Sequence, residues 1–363
     1  MQAMRRTTIP APVDAALRRA ARTLYLDRAI EPWLTLLDAT ASLTEIRARV
    51  LDVIEETPDT KSFVLAPNRL WKGHRAGQWV SVEVELDGAR VSRCYSIASA
   101  PGSGALTITV RRIEGGRVSE HLHGAVRPGS VLTLGPAGGG FVLPGSDPGP
   151  LLFIAGGTGI TPIVSILRDL DARHALDGVV LVQLARGPEH VLYRETLDAL
   201  VHRGLRLHRW LDGSDGQPAL DEARLEAAVP DLAERTTYLC GPTGLMARID
   251  AMWARLGIAH RLVRERFAPE VTVTEPTGAT VQVHLGGGRR AIEASTSRTL
   301  LASLEDAGER PASGCRMGLC GACACTKKRG VVLSTLTGER SDREDEQVRL
   351  CVSVPLGDVE LGL

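Results

Sequence analysis

Between Ile46 and about Pro144, apolar and polar residues alternate in short runs such as R-A-R-V-L-D-V-I, K-S-F-V-L, Q-W-V-S-V-E-V-E-L, R-V-S-R-C-Y-S-I and A-L-T-I-T-V-R-R. A period of two turns one face of each strand to a core and the other to water. Turn residues punctuate the runs at Pro67, Gly73, Gly77, Asp87-Gly88, Pro101-Gly102, Pro128-Gly129 and Gly135-Pro136, which predicts an antiparallel barrel. From about Gly149 the rhythm changes. P-L-L-F-I-A is continuously apolar, as a parallel strand covered on both faces requires, and G-G-T-G-I-T-P leads from it into the helix I-V-S-I-L-R-D-L. Pro162 falls in the first helical turn, which tolerates proline. Further strands from Gly178 (G-V-V-L-V-Q-L-A-R) and Thr236 (T-T-Y-L-C) alternate with helices, the pattern of a doubly wound α/β domain.

The two ends of the chain read differently. Residues 1 to about 45 set Leu17, Ala20, Ala21 and Leu24 at helical spacing, with Trp33 after Pro32 expected to anchor the connection to the barrel. Ala268 to Ala279 is rich in proline, threonine and acids, as a linker is. Beyond it A-T-V-Q-V-H-L-G-G-G-R-R-A-I-E-A predicts a hairpin about three glycines, followed by the helix R-T-L-L-A-S-L-E-D-A-G and a cysteine-rich loop, an order suited to a small β-grasp module. The chain is therefore read as multidomain, with divisions at 1–45, 46–148, 149–270 and 271–363.

Composition narrows the class. A length of 363 residues suggests two or three domains, and 44% hydrophobic residues can fill their cores. With 43 basic and 43 acidic side chains there is no global field for nucleic acid or an anionic membrane, which leaves only local patches. No apolar run approaches the length of a spanning helix, and Met1 to Pro12 carries arginines without an apolar core of a signal peptide. A cytoplasmic protein in a reducing compartment is expected.

Ser313 to Cys325, S-G-C-R-M-G-L-C-G-A-C-A-C, carries the strongest chemistry. Cys315, Cys320 and Cys323 stand at C-x4-C-x2-C spacing and Cys351 returns later, which is the plant-type [2Fe-2S] ligand pattern. A zinc site would pair two C-x2-C knuckles instead, and disulfides need an oxidising compartment. Four thiolates on two irons carry net negative charge, so backbone N–H groups must point at the sulfurs, and Gly314, Gly318 and Gly321 permit this. Cys325 reads as a small buried residue beside the cluster.

Weaker motifs precede it. In Arg93-Cys94-Tyr95-Ser96 the guanidinium and the ring share a strand face and suit a ligand that is flat at one end and anionic at the other, such as a flavin nucleotide, although Arg and Tyr also alternate on ordinary exposed strands. Gly115-Gly116-Arg117-Val118-Ser119 opens a short helix with Ser119 as its expected N-cap, either a phosphate cradle or an ordinary capped helix. His121 and His123 on that helix are expected at the surface. Gly156, Gly157 and Gly159 allow a pyrophosphate to approach a helix N-terminus, or make a tight strand-to-helix turn. Cys240-Gly241-Pro242 ends a strand at the ligand-binding edge of the sheet, where Cys240 can touch a nicotinamide or serve as a small buried hydrophobe.

Together these motifs, in this order, resemble the ferredoxin-NAD(P)H reductase superfamily in its form fused to a C-terminal plant-type ferredoxin, as in phthalate dioxygenase reductase-like enzymes. The likeness runs from about Leu43 to the end. It implies an antiparallel β-barrel flavin domain, a doubly wound α/β nicotinamide domain and a β-grasp ferredoxin domain, with FAD favoured over FMN, a [2Fe-2S] cluster, and NADPH or NADH as donor. By that resemblance Arg93 meets the flavin phosphates, Tyr95 packs on the flavin, Ser96 hydrogen-bonds near its N5, and Gly116, Val118 and Ser119 contact phosphate. Gly157, Thr158 and Gly159 cradle the dinucleotide, with Cys240, Gly241 and Pro242 beside the reacting ring, and Glu265 and Phe267 face the same place. In R-G-P-E-H-V-L-Y-R-E, Arg186, Tyr193 and Arg194 can clasp a 2′-phosphate, whereas Glu189 can favour a free ribose hydroxyl; the balance leans to NADPH.

A nicotinamide gives two electrons as a hydride and a [2Fe-2S] centre takes one, so a flavin between them is the natural transformer. The expected function is electron transfer from NAD(P)H through flavin and cluster to a protein acceptor. The P-W-L-T-L-L-D segment ahead of the barrel resembles reductases that feed membrane fatty-acid desaturases, which makes a desaturase the first expectation, with peripheral docking to a membrane enzyme. The alternatives are the reductase component of a Rieske dioxygenase or diiron monooxygenase, a hydroxylase in its own right, and a redox-sensing module.

Overall fold

The computed structural model describes residues 27–86, 88–145, 148–211, 220, 222–267, 278–288, 290–314, 316, 318 and 321–363. The helix expected around Leu17 to Leu24, most of the 268–279 linker, and Cys315 and Cys320 lie outside the described residues. The first described element is helix α1 (Asp27–Leu37), which contains Pro32. Trp33 on it is 69% exposed, so it does not anchor the connection as expected. Polar side chains do that instead.

Strands β1 (Ile46–Thr57), β2 (Thr60–Pro67), β3 (Trp79–Leu86), β4 (Ala89–Ser96), β5 (Leu106–Arg111) and β6 (Val131–Gly138) form one antiparallel sheet in the order β4-β3-β6-β1-β2-β5. An isolated bridge between Ile97 and Ile108 joins the two ends and closes the barrel. The period-two alternation explains its core: Val80, Val82 and Val84 of β3 are buried with Val50, Phe63, Leu65 and Ile108, while the residues between them face outward. Helix α2 (Arg117–Ala125) caps that core with Val118 and Leu122. Its N-cap is Gly116, not Ser119, whose hydroxyl sits inside the first turn, donates to the Gly116 carbonyl at 3.0 Å and accepts from the Ile113 N–H at 3.2 Å. His123 is also not at the surface: it is buried, with Nε2 2.8 Å from the Val110 carbonyl.

The second sheet is parallel throughout, in the order β11-β10-β7-β8-β9, from β7 (Leu151–Gly156), β8 (Val180–Ala185), β9 (Arg206–Leu211), β10 (Thr236–Cys240) and β11 (Leu262–Glu265). Its central strands are apolar on both sides because both sides are covered. Leu151, Phe153 and Ala155 of β7 pack with α3 (Ile160–Ala172) and α4 (Arg194–Val201), whereas Leu152 and Ile154 pack with α5 (Glu222–Ala228) and α6 (Thr243–Arg255). The edge strands β9 and β11, short and rich in charge, escape the sequence reading. Helix α3 binds this sheet to the barrel: Arg168 Nη1 donates to the Ala98 carbonyl at 2.9 Å and Ser165 Oγ to the Ser99 carbonyl at 2.7 Å, just past the end of β4.

The C-terminal part is a mixed sheet, β13-β12-β19-β14-β17, built from β12 (Thr280–Leu285), β13 (Arg290–Ser295), β14 (Ala324–Arg329), β17 (Glu346–Arg349) and β19 (Val359–Leu361). β12 and β13 are the expected hairpin, and α7 (Leu300–Asp306) buries Leu300, Leu301 and Leu304 against the sheet. A small sheet of β15 (Val332–Ser334), β16 (Arg340–Ser341) and β18 (Ser353–Pro355) flanks it. No helix among the described residues is long and apolar enough to cross a membrane.

Candidate redox site

A cavity of about 670 Å³ opens between the end of β4 and the start of α2, lined by Arg93, Tyr95, Ser96, Gly116, Val118 and Ser119 among others. β4 pairs with β3 so that Arg93 lies opposite Val82 and Tyr95 opposite Val80, which sets both side chains on one face. Burial pushes the Tyr95 phenol above its usual range, so it stays neutral. Arg93 also reaches beyond the barrel: its Nη1 donates to the Gly314 carbonyl at 3.3 Å, in the cysteine loop of the C-terminal part.

Ser96 ends β4 and Glu265 ends β11, and the Ser96 hydroxyl donates to Glu265 Oε2 at 3.2 Å. Burial raises the Glu265 carboxyl to about 8, against a smaller lowering effect of that hydrogen bond, so Glu265 holds its proton at neutral pH. Cys240 is its register partner on β10, fully buried, with its thiol raised by burial and then by the neighbouring Glu265. The G-G-T-G turn sits directly on this strand end. A Cβ on Gly159 would lie 2.1 Å from the Cys240 carbonyl oxygen, so only glycine lets the turn and the C-G-P segment pack together.

The second opening is a groove with two lobes of about 370 and 260 Å³, which share Arg111, Gly156, Gly157, Thr158 and Pro242. Gly159 and Gly241 line the smaller lobe, and Arg186 and Arg248 the larger. Thr158 and Phe267 line both this groove and the cavity beside Tyr95, so the two openings meet there. Not every expected residue reaches the groove. Tyr193 is buried, and its hydroxyl is bonded to Thr109 of the barrel with the Arg168 guanidinium 5.5 Å over its ring, so it ties the two sheets together and clasps no ribose. Arg194 is turned to the Pro188 carbonyl at 2.6 Å and lines neither lobe. Glu189 pairs with His190 Nε2 at 3.3 Å.

In the cysteine loop, Cys323 and Cys351 are buried with their sulfurs 3.2 Å apart, well beyond a disulfide bond. The Gly318 N–H points at Cys351 Sγ, 3.2 Å away, from a backbone with φ of 71° that favours glycine. Cys325 is buried beside them on β14, as expected.

Comparison with known proteins agrees part by part. Residues 47–141 match the oxidoreductase FAD-binding domain family, 153–251 the oxidoreductase NAD-binding domain family, and 283–356 the 2Fe-2S iron-sulfur cluster binding domain family. An NADPH oxidoreductase of Mycobacterium tuberculosis is 33% identical over 355 residues, covering 96% of this chain and 92% of that protein. The chain belongs to the FAD- and NAD(P)H-dependent reductases with a C-terminal [2Fe-2S] ferredoxin domain. This reductase is also 30% identical, over 86% of its length and 93% of the other, to the glycine betaine monooxygenase reductase subunit of Pseudomonas aeruginosa. It shares the fold of phthalate dioxygenase reductase, with a TM-score of 0.62 at 24% identity over 88% of this chain and 98% of that one.

The residues present suit the three cofactors of the family. The reductase offers a flavin an aromatic face at Tyr95 and a helix start at Gly116; it offers the cluster two buried thiols with a backbone N–H already aimed at one. Sequence reasoning missed Arg111, Arg248 and Asp59. Arg111 lines both the flavin cavity and the nucleotide groove, and the only signal was the Arg111-Arg112 pair that closes a strand. Asp59 accepts from Arg111 Nε at 2.8 Å and lies 3.4 Å from Arg186 Nη2. Burial favours its neutral form, but the hydroxyls of Thr60 and Thr57 and the Arg111 guanidinium outweigh this and hold its carboxyl at about 2.

Proposed function

We propose that this reductase takes electrons from NADPH in preference to NADH and delivers them to the terminal component of an oxygenase. When bound, the nicotinamide would supply a hydride, the flavin its conversion into two single electrons and a proton, and the cluster a one-electron relay. The observation that carries the reading is the continuity of the site: nucleotide groove and flavin cavity meet at Thr158 and Phe267, and Arg93 of the flavin cavity touches the loop of the cluster cysteines. Arg93, Tyr95, Gly116, Val118 and Ser119 would hold the flavin. Gly157, Thr158, Gly159, Gly241 and Pro242 would hold the dinucleotide, with Cys240 shaping the floor. Cys315 and Cys320 would complete the cluster ligands with Cys323 and Cys351. Ser96 and protonated Glu265 would keep fixed negative charge away from the place where reduction adds charge.

Arg186 and Arg248 on the larger lobe, with Glu189 engaged by His190, support the 2′-phosphate and hence NADPH. The oxygenase acceptor is supported by the relative that is itself a monooxygenase reductase subunit.

The test is an anaerobic titration of the visible spectrum. NADPH at substoichiometric amounts should bleach the flavin band and then the cluster bands, with NADH needing at least a tenfold higher concentration; equal response to NADH would remove the NADPH assignment. Turnover with purified oxygenase and desaturase components then separates the acceptors. Product formed only with the desaturase would overturn the oxygenase reading.

A further inference from the structure

Helix α1 is mounted with its polarity inverted. Globular proteins bury the apolar stripe of a surface helix and leave the polar face to water. Here the polar face is the one attached to the barrel. Arg47 of β1 donates to Thr35 Oγ1 at 2.8 Å and pairs with Glu31 at 3.3 Å, Arg49 pairs with Asp38 at 2.9 Å, and Glu31 Oε2 accepts from the Leu43 N–H at 3.0 Å. These bonds fix the rotation of the helix. Ile30, Trp33, Leu36 and Leu37 are then turned outward along one stripe, Trp33 at 69%, Leu36 at 78% and Leu37 at 85% exposure.

We propose that α1 is an interfacial helix that seats the reductase on an anionic lipid surface. Three observations select that occupant. First, charge: residues 1–28 hold six arginines and two aspartates, whereas the whole chain has equal numbers of acids and bases, so the segment that immediately precedes the apolar stripe in the sequence is cationic. Second, size: even if all four side chains matched the roughly 150–250 Å² of an aromatic residue, their exposed fractions would offer on the order of 500 Å², short of the roughly 800 Å² per partner in a stable protein interface. A shallow apolar wedge with arginines is enough for an interfacial helix, and eleven residues are too few to span a bilayer. Third, placement: Glu45, just after α1, bonds Arg90 near the start of β4, while Ser96 and the flavin cavity lie at the other end of that strand, roughly 20 Å away at strand spacing. Docking through α1 leaves open the Ser96 end of β4, where the flavin cavity meets the nucleotide groove. The inference holds whichever protein accepts the electrons.

The test is sedimentation of the intact, cofactor-loaded chain with phosphatidylglycerol-containing vesicles at low ionic strength. Binding is expected. It should fall at least tenfold in L36E/L37E, with pure phosphatidylcholine vesicles, and at about 0.5 M salt, where charge is screened. NADPH-dependent ferricyanide reduction should be unchanged in L36E/L37E, since neither leucine touches the redox site. Failure to sediment, or equal binding by L36E/L37E, overturns the proposal. So does a concentration-dependent dimer that L36E/L37E dissolves, which assigns the stripe to a second copy. Binding seen only to vesicles that carry an embedded acceptor protein overturns it too, in favour of a protein partner.

Discussion

Ser96 and Glu265 stand 169 positions apart in the chain, yet each ends a strand, and the packing of α3 on the barrel brings those two ends to a 3.2 Å hydrogen bond. The same packing buries the carboxyl, and that burial, against the lowering effect of the hydrogen bond, holds its proton until near pH 8. In the unfolded chain the same group ionises near its usual value of 4.5. Between those limits the unfolded state binds fewer protons, so this residue makes folding less favourable as pH rises from about 4.5 to 8, by an amount on the order of a few kcal/mol. Glu265→Gln should remove that dependence, and thermal melts at pH 5 and pH 8 should differ less for the variant than for the parent. In stopped-flow anaerobic mixing, flavin bleaching by NADPH should slow above pH 8 in the parent as Glu265 becomes charged, and should stay flat in the variant. A parallel fall in both would detach the profile from Glu265.

At the scale of elements, the parallel sheet shows why motifs in different loops act together. β7 and β10 are neighbours, so the turn after one and the C-G-P segment after the other share a single edge, the edge where open α/β sheets bind ligands. The 2.1 Å approach of a Gly159 Cβ to the Cys240 carbonyl meets backbone in a central strand, which cannot swing aside. Gly159→Ala should therefore cost about 1–3 kcal/mol in urea unfolding, the scale of an overpacked core. It should also raise KM for NADPH at least tenfold, because the turn would be pushed out of the groove; wild-type kinetics would show that the close approach is not needed. Periodicity made most of these elements legible. β9 and β11 were not, because R-L-H-R-W-L and L-V-R-E are short edge strands whose charges can stay in water.

For the whole molecule, the barrel and the parallel sheet share apolar packing, with Ala76, Ala98, Phe141 and Leu143 in one cluster with Leu151 and Phe153, whereas the C-terminal module has its own core and meets the barrel through polar contacts such as Arg93 to Gly314. A separate core predicts separable chemistry. Cys351→Ser should lose iron and the cluster bands, yet keep bound FAD, its bleaching by NADPH and ferricyanide reduction, while electron delivery to a protein acceptor disappears; loss of flavin together with iron would mean that the modules fold as one. The amino-acid sequence by itself determined the fold classes of the modules, their order and the cluster ligand pattern, because strand alternation, helix period and the C-x4-C-x2-C spacing depend on residues within a few positions of one another, and the resemblance of the ordered motifs supplied the flavin and nicotinamide. Only the tertiary structure decided which side chains meet. It drew Tyr193 out of the expected nucleotide site into the contact with Thr109, sent Arg194 to Pro188, buried His123, and brought Arg111 and Asp59 to the groove. It also turned the apolar face of α1 outward, since Arg47 and Arg49 on a neighbouring strand, not the helix's own pattern, fix which side is held.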